Sequence, residues 1–161
     1  MNTDTPTAGI PAAVPLLAPL WRRLAAIVYD SFLIFAIWII VGFVVLSAFG
    51  IEQARTLEGE TVVLDPLYQW VLFGSMLLSA LLFFGWFWTH SGQTLGMQAW
   101  RVKLENLEGG PLTWKQVLLR CLSAPLSLLA GGIGYWWALF DPQKRSWPDM
   151  LSHTRVVRCE L

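Results

Sequence analysis

Charged residues are scarce in this chain, at 14% of 161 residues, where an ordinary soluble domain carries about 25%. Cysteine is scarce too: Cys121 and Cys159 are the only two, and they show no metal-ligand spacing. The sequence also lacks a Ser-His-Asp, Cys-His or paired-carboxylate pattern. These absences argue against a soluble domain, and we expect no enzymatic activity, no catalytic residues, no metal, no cofactor and no nucleic-acid partner.

The sequence contains long apolar runs with few charged residues. Residues 24–49 contain one charged side chain, Asp30, and residues 67–89 contain none. Each run exceeds the roughly 20 residues with which a helix crosses a ~30 Å hydrocarbon layer, and a helix satisfies its own backbone hydrogen bonds in lipid. We therefore predict an all-α membrane protein with two full transmembrane helices, at about 22–49 and 67–89.

A third apolar region, at about 114–140, is interrupted by polar and helix-breaking residues. It contains Arg120, Pro125 and a glycine cluster. The glycines that indicate a break are Gly131, Gly132 and Gly134. The region is either a single kinked span or two short pieces that turn at the glycines as a re-entrant hairpin.

The placement of Lys and Arg favours the hairpin, because these residues are enriched on the cytoplasmic side of membrane proteins. With a hairpin, all eleven except Arg55 lie on the N-terminal side. With a single span, Lys144, Arg145, Arg155 and Arg158 join Arg55, and the split becomes six to five. We therefore expect a multi-pass protein of a bacterial inner (plasma) membrane with a cytoplasmic N-terminus.

Two short segments, 100–105 and 154–160, alternate polar and apolar residues in the manner of strands. A lone strand is unstable in water, so we predict that they pair as a small cytoplasmic sheet, which also requires both to lie on one side of the membrane. Residues 1–20 contain four prolines and are expected to form a disordered leader before one membrane domain at 21–161. The segment 51–66 is expected to be an acidic external loop.

Three ordered blocks of sequence are distinctive. Arg23 and Asp30 lie at the start of the first apolar run, Gly92-Gln-Thr-Leu-Gly96 follows the second, and Trp147-Pro-Asp149 lies near the C-terminus. Together they resemble the RDD family of small bacterial membrane proteins, named for one Arg and two Asp, over about residues 18–158. The resemblance implies a role in transport, with cation/proton exchange proposed for some members. Many relatives have His where this chain has Pro148, so a proton-handling role at that position is not implied.

Asp30 needs a partner or water wherever it lies. It follows Arg23 by nearly two helical turns, about 10 Å, which places it just inside the hydrocarbon, where an unpaired carboxylate costs several kcal/mol. One interpretation is a structural ionic cluster of Arg23, Asp30, Asp149 and Arg120. The other is an ion or proton site at Asp30, to which the glycine break could contribute backbone carbonyls. Gly92 and Gly96 suit a turn leaving the membrane.

Two functions remain open on this basis. The first is a transport component that uses Asp30; because two spans cannot enclose a pathway, it would require a homo-oligomer or a larger membrane-protein partner within the lipid bilayer. The second is a non-catalytic scaffold, assembly factor or accessory subunit with a structural Arg/Asp cluster.

Overall fold

Two long helices dominate the computed structural model, which describes residues 16–49 and 66–159. Helix α1 spans Leu20–Phe49 and α2 spans Pro66–His90, and both are long and apolar enough to cross a membrane. Large apolar side chains such as Phe43 and Trp70 are 72% exposed, as expected of helix faces that contact lipid. The two predicted spans are confirmed. Mid-helix, Trp38 Nε1 donates a hydrogen bond to the Met76 carbonyl at 3.0 Å and joins α1 to α2.

The third apolar region forms a bent pair of helices. Helix α4 spans Trp114–Leu129, and α5 spans Ile133–Trp136 and continues as a 3₁₀ turn over Trp137–Leu139. The two parts meet at 106°. Gly131 and Gly132 make the bend with φ angles of 69° and 78°, a left-handed conformation that glycine adopts without a steric penalty. The predicted glycine break is confirmed.

Gly134 has a different role from the other two glycines. It lies inside α5, where an added Cβ would clash with the Ser127 side chain. Its lack of a side chain therefore allows α5 to approach α4 closely, rather than making the turn itself.

Short elements connect the long helices into a small sheet. They are α3, Leu95–Ala99; β1, Val102–Asn106; α6, Trp147–Leu151; and β2, Thr154–Arg158. Strands β1 and β2 pair antiparallel, with Leu104 opposite Val156. Both of these side chains are at most 4% exposed, and they pack on a core that includes Val117 and Met97. The predicted strand pairing is confirmed within two residues at each end.

The segment before α1 extends this sheet. The Ala18 amide donates to the Val156 carbonyl at 3.0 Å, and the Arg158 amide donates to the Leu16 carbonyl at 2.8 Å. Residues 16–20 therefore belong to the fold, which differs from the predicted disordered leader over 1–20. The rest of that leader, and the predicted external loop apart from Pro66, lie outside the described residues.

Pairing of β1 with β2 fixes where the bent region begins and ends. Strand β1 follows α2 and precedes α4, whereas β2 is the last strand of the chain. The region between them therefore leaves the sheet and returns to it. This geometry favours the re-entrant hairpin over a single kinked span.

Labelling of single thiols tests this topology without any assumption about orientation. Cys159 is labelled in Cys121→Ser protein, and each introduced cysteine is labelled in protein that lacks both native cysteines. We expect Cys159 and Leu16→Cys to react with an impermeant maleimide from the same side of oriented membrane vesicles. Gln53→Cys, between the two spans, serves as the opposite-side control. Labelling of positions 16 and 159 from opposite sides would contradict the hairpin.

Candidate functional site

Asp149 is held in place by the start of the helix that carries it. Ser146 precedes α6, and its backbone amide and its hydroxyl donate to Asp149 Oδ2 at 3.0 and 2.8 Å. The bond from the Ser146 amide to the Asp149 side chain is one half of a capping box, in which the residue before the helix and the third helical residue bind each other. Pro148, in the first turn, suits a helix start. The Asp149 side chain is fully buried, so its carboxylate has a fixed orientation.

Arg23 brings α1 to this carboxylate. Its Nη1 donates to Asp149 Oδ2 at 2.8 Å. Its other nitrogens donate to backbone carbonyls, Nε to Ala18 at 3.0 Å and Nη2 to Val156 at 3.3 Å. The side chain is 6% exposed. Arg23 therefore connects α1 with α6, with β2 and with the segment before α1.

Arg120 binds the other carboxylate oxygen of Asp149. Its Nη1 lies 2.7 Å from Asp149 Oδ1 and donates to Thr154 Oγ1, also at 2.7 Å. Its guanidinium carbon lies 5.5 Å from the centre of the Trp88 ring, within the range of a cation–π contact. One carboxylate thus lies between two guanidinium groups, and we call Arg23, Arg120 and Asp149 the ionic cluster.

The ionic cluster keeps Asp149 charged. Burial by itself would raise the pKa of the Asp149 carboxyl, but the Arg120 and Arg23 guanidinium groups and the Ser146 amide outweigh it and hold that pKa below its ordinary value. The cluster consequently carries two positive charges and one negative charge.

Asp30 does not join the ionic cluster. Its Oδ2 accepts from Thr94 Oγ1 at 2.5 Å and its Oδ1 accepts from the Gly96 amide at 2.9 Å. Within the described part of the chain it forms no ion pair, so the structure brings together three of the four residues of the ionic interpretation and leaves Asp30 apart. The physical reason is that the first turn of α3 offers donors to a carboxylate, and these satisfy a buried acid without a basic side chain.

Gly96 makes this second contact possible, and Gly92 forms the turn that precedes it. Gly96 lies inside α3, rather than in the predicted turn, and an added Cβ would meet the Ala26 carbonyl at 2.5 Å and Asp30 Oδ1 at 2.8 Å. Gly92 does lie in the turn after α2, with a φ of 71°, and an added Cβ there would meet the Leu104 carbonyl at 2.7 Å. The structure places Gly92 in that turn, whereas the close approach of α3 to α1 was not predicted.

A cavity of about 350 Å³ lies beside Asp30 and the two arginines of the ionic cluster. Asp30, Arg23 and Arg120 all border it, together with apolar side chains of α1, α2 and α4. Among the described residues, no group of three or more His, Cys, Asp or Glu could hold a metal ion.

The residues that bind Asp30 and Asp149, at the start of α3 and the start of α6, lie within a stretch that a family model recognises. The RDD family model matches residues 17–153, most of the chain. The chain belongs to the RDD family. No curated protein and no solved structure matches it. In this RDD protein, Arg23 and Asp149 form an ion pair, while Asp30 binds the start of α3.

Removal of the shared carboxylate tests the importance of the ionic cluster. Asp149→Ala leaves two buried guanidinium groups without their counter-charge, and we expect the free energy of unfolding to fall by about 3–5 kcal/mol. Denaturant titration in detergent micelles measures it. Glu105→Gln is the matched control, since the pair of Glu105 with Arg155 is about one-third exposed and should contribute at most ~1 kcal/mol. An equal effect of the two changes would contradict the assignment.

Gly96→Ala tests the contact between α1 and α3. The added methyl has no room against Ala26 and Asp30, so we expect a loss of stability of about 1–3 kcal/mol. Gly74→Ala in α2 is the control, because its Cβ would meet nothing within 4 Å. If Gly96→Ala is as stable as the wild type in the same unfolding titration, the close approach of α3 to α1 is not required.

Proposed function

We propose that this RDD protein is a non-catalytic scaffold, assembly factor or accessory subunit of a bacterial inner membrane. The observation that supports the proposal is the engagement of both acids within the chain. Asp149 is enclosed by Ser146, Arg23 and Arg120, and Asp30 by the start of α3. A carrier site exchanges its ligand, whereas these contacts join parts of the fold that are distant in sequence.

A scaffold acts through what it holds together, so the proposal includes a protein partner. We propose a homo-oligomer or a larger membrane-protein partner that contacts the apolar faces of α1 and α2. The exposed aromatic side chains on those faces, Phe32, Phe35 and Phe43 among them, are suited to helix packing as well as to lipid.

A cytoplasmic N-terminus is part of the same proposal. Arg22, Arg101, Lys103, Arg155 and Arg158 lie on or next to the sheet and the start of α1. Such an accumulation of positive charge is typical of the cytoplasmic side, which supports this orientation.

Transport is the second candidate, and one observation favours it. Asp30 borders the cavity and, among the described residues, has neutral donors rather than a basic side chain as partners. Acids within a membrane span are functional candidates by default. Cation/proton exchange at Asp30 would require Thr94 or Gly96 to release the carboxylate, and a second subunit to complete a pathway.

A flux measurement distinguishes the two functions. Purified wild-type protein and Asp30→Asn are reconstituted in vesicles that carry a Na⁺ or K⁺ gradient and an internal pH dye. The variant should stay folded, because an Asn oxygen still accepts from the Gly96 amide and Thr94 Oγ1 can accept from the Asn amide. The scaffold proposal predicts that neither protein gives more pH change than protein-free vesicles.

The controls make either result decisive. Vesicles treated with a cation/proton ionophore confirm that the dye responds, and Glu105→Gln controls for the loss of one carboxylate elsewhere. Wild-type flux that Asp30→Asn abolishes and Glu105→Gln preserves would overturn the scaffold proposal in favour of transport.

A further inference from the structure

The cavity between α1, α2 and α4 is mostly apolar. Helix α2 packs against both of the other helices and contributes one wall, while α1 and α4 contribute the facing walls. The apolar side chains that line it include Ile27, Ile34, Leu77, Leu81, Phe84 and Leu128. Over most of its length, the lining of the cavity is therefore as apolar as the surrounding hydrocarbon.

Its dimensions suit one extended chain. The cavity runs along α1 from Arg23 to Trp38, which at 1.5 Å per residue is about 22 Å. Half of a ~30 Å hydrocarbon core is about 15 Å, so the cavity covers the depth of one leaflet. Its volume, about 350 Å³, lies near the lower end of the ~300–1,000 Å³ range of ligand pockets. This space fits a single acyl chain better than a whole two-chain lipid.

The end of the cavity nearest the sheet is polar and retains unused hydrogen-bond donors. Within the described residues, Arg120 has partners at Nη1 alone. Trp88 and Tyr135 border the cavity and are 9% and 8% exposed. The indole Nε1 of Trp88 is buried and has no hydrogen-bond partner in that part of the chain.

Three charged side chains border this end of the cavity, Arg23 and Arg120 with a positive charge and Asp30 with a negative charge. Asp149 pairs with both guanidinium groups but does not line the cavity. Both oxygens of Asp30 are already engaged by the start of α3. An acidic group at Arg120 would gain charge-assisted hydrogen bonds and would meet no free carboxylate.

We propose that this cavity binds one acyl chain of an anionic amphiphile, with its acidic head group at Arg120, Trp88 and Tyr135. An anionic phospholipid and a free fatty acid share this chemistry. The inference stands independently of the scaffold and transport proposals, because it depends on the shape and charge of the cavity alone.

Native mass spectrometry of the delipidated protein in a neutral detergent tests the proposal. The probes are dioleoyl phosphatidylglycerol, oleate, dioleoyl phosphatidylcholine and inorganic phosphate. We expect at least one of the two anionic amphiphiles to bind about tenfold more tightly than phosphatidylcholine, and phosphate not to bind. The preferred anionic probe identifies the source, whereas equal binding of phosphatidylcholine or of phosphate would overturn the proposal.

A cavity-filling variant locates the bound chain. Ala124 borders the cavity, and Ala124→Phe should weaken binding of the anionic amphiphile by about tenfold. Leu122→Phe on the same helix is the control, because Leu122 is 59% exposed and does not line the cavity. Equal retention by both variants would place the amphiphile elsewhere and overturn the proposal.

A second measurement leaves the cavity unaltered, should Ala124→Phe fail to fold. Cys121 borders the cavity, and in Cys159→Ser protein it is the remaining thiol of the sequence. Bound amphiphile should slow the reaction of Cys121 with N-ethylmaleimide severalfold. A rate that does not change at saturating amphiphile would contradict occupancy of the cavity.

Discussion

The structure depends on one buried carboxylate that lies between two guanidinium groups. Asp149 binds Arg23 from α1 and Arg120 from α4, while Ser146 holds it at the start of α6. Buried charges are costly unless they are paired and hydrogen-bonded, so these segments must meet in one arrangement for any of the charges to be satisfied. The interaction therefore specifies how the bent pair α4–α5 returns to the first span.

Asp30 is also a buried carboxylate that needs partners, but its partners are neutral donors rather than guanidinium groups. Its two oxygens bind the Thr94 hydroxyl and the Gly96 amide, so α3 is pressed against α1 at a point where Gly96 has no side chain to intervene. One acid thus joins the C-terminal part of the chain to α1, and the other joins the segment between α2 and β1 to it. Both contacts start from the first three turns of α1, where Arg23 and Asp30 lie. Each of these two side chains binds a segment that is distant in sequence.

Much of the fold could be predicted from the sequence because its signals are local. The length of the apolar runs predicts α1 and α2, the glycine pair predicts the bend, and alternation predicts β1 and β2. The partners of Asp30 could not be predicted, because a Thr hydroxyl and a backbone amide 64 and 66 residues away carry no charge pattern. Ser146 could have been found, since a Ser three residues before an Asp at a helix start is a capping signal. The ordered residues 16–19 were missed because their pairing with β2 is through backbone atoms, which side-chain patterns do not report.

The ionic cluster lies at one end of the cavity. Arg23 and Arg120 join α1 and α4 at the sheet end through Asp149, while α2 packs against both helices. Beyond the cluster, small side chains such as Ala26, Ala80 and Ala124 line the space between them and leave it open. In water, an apolar void of this size would destabilise the fold, but a membrane supplies acyl chains that can fill it. The same interaction that closes the polar end of the molecule therefore lies beside an apolar space that lipid can occupy.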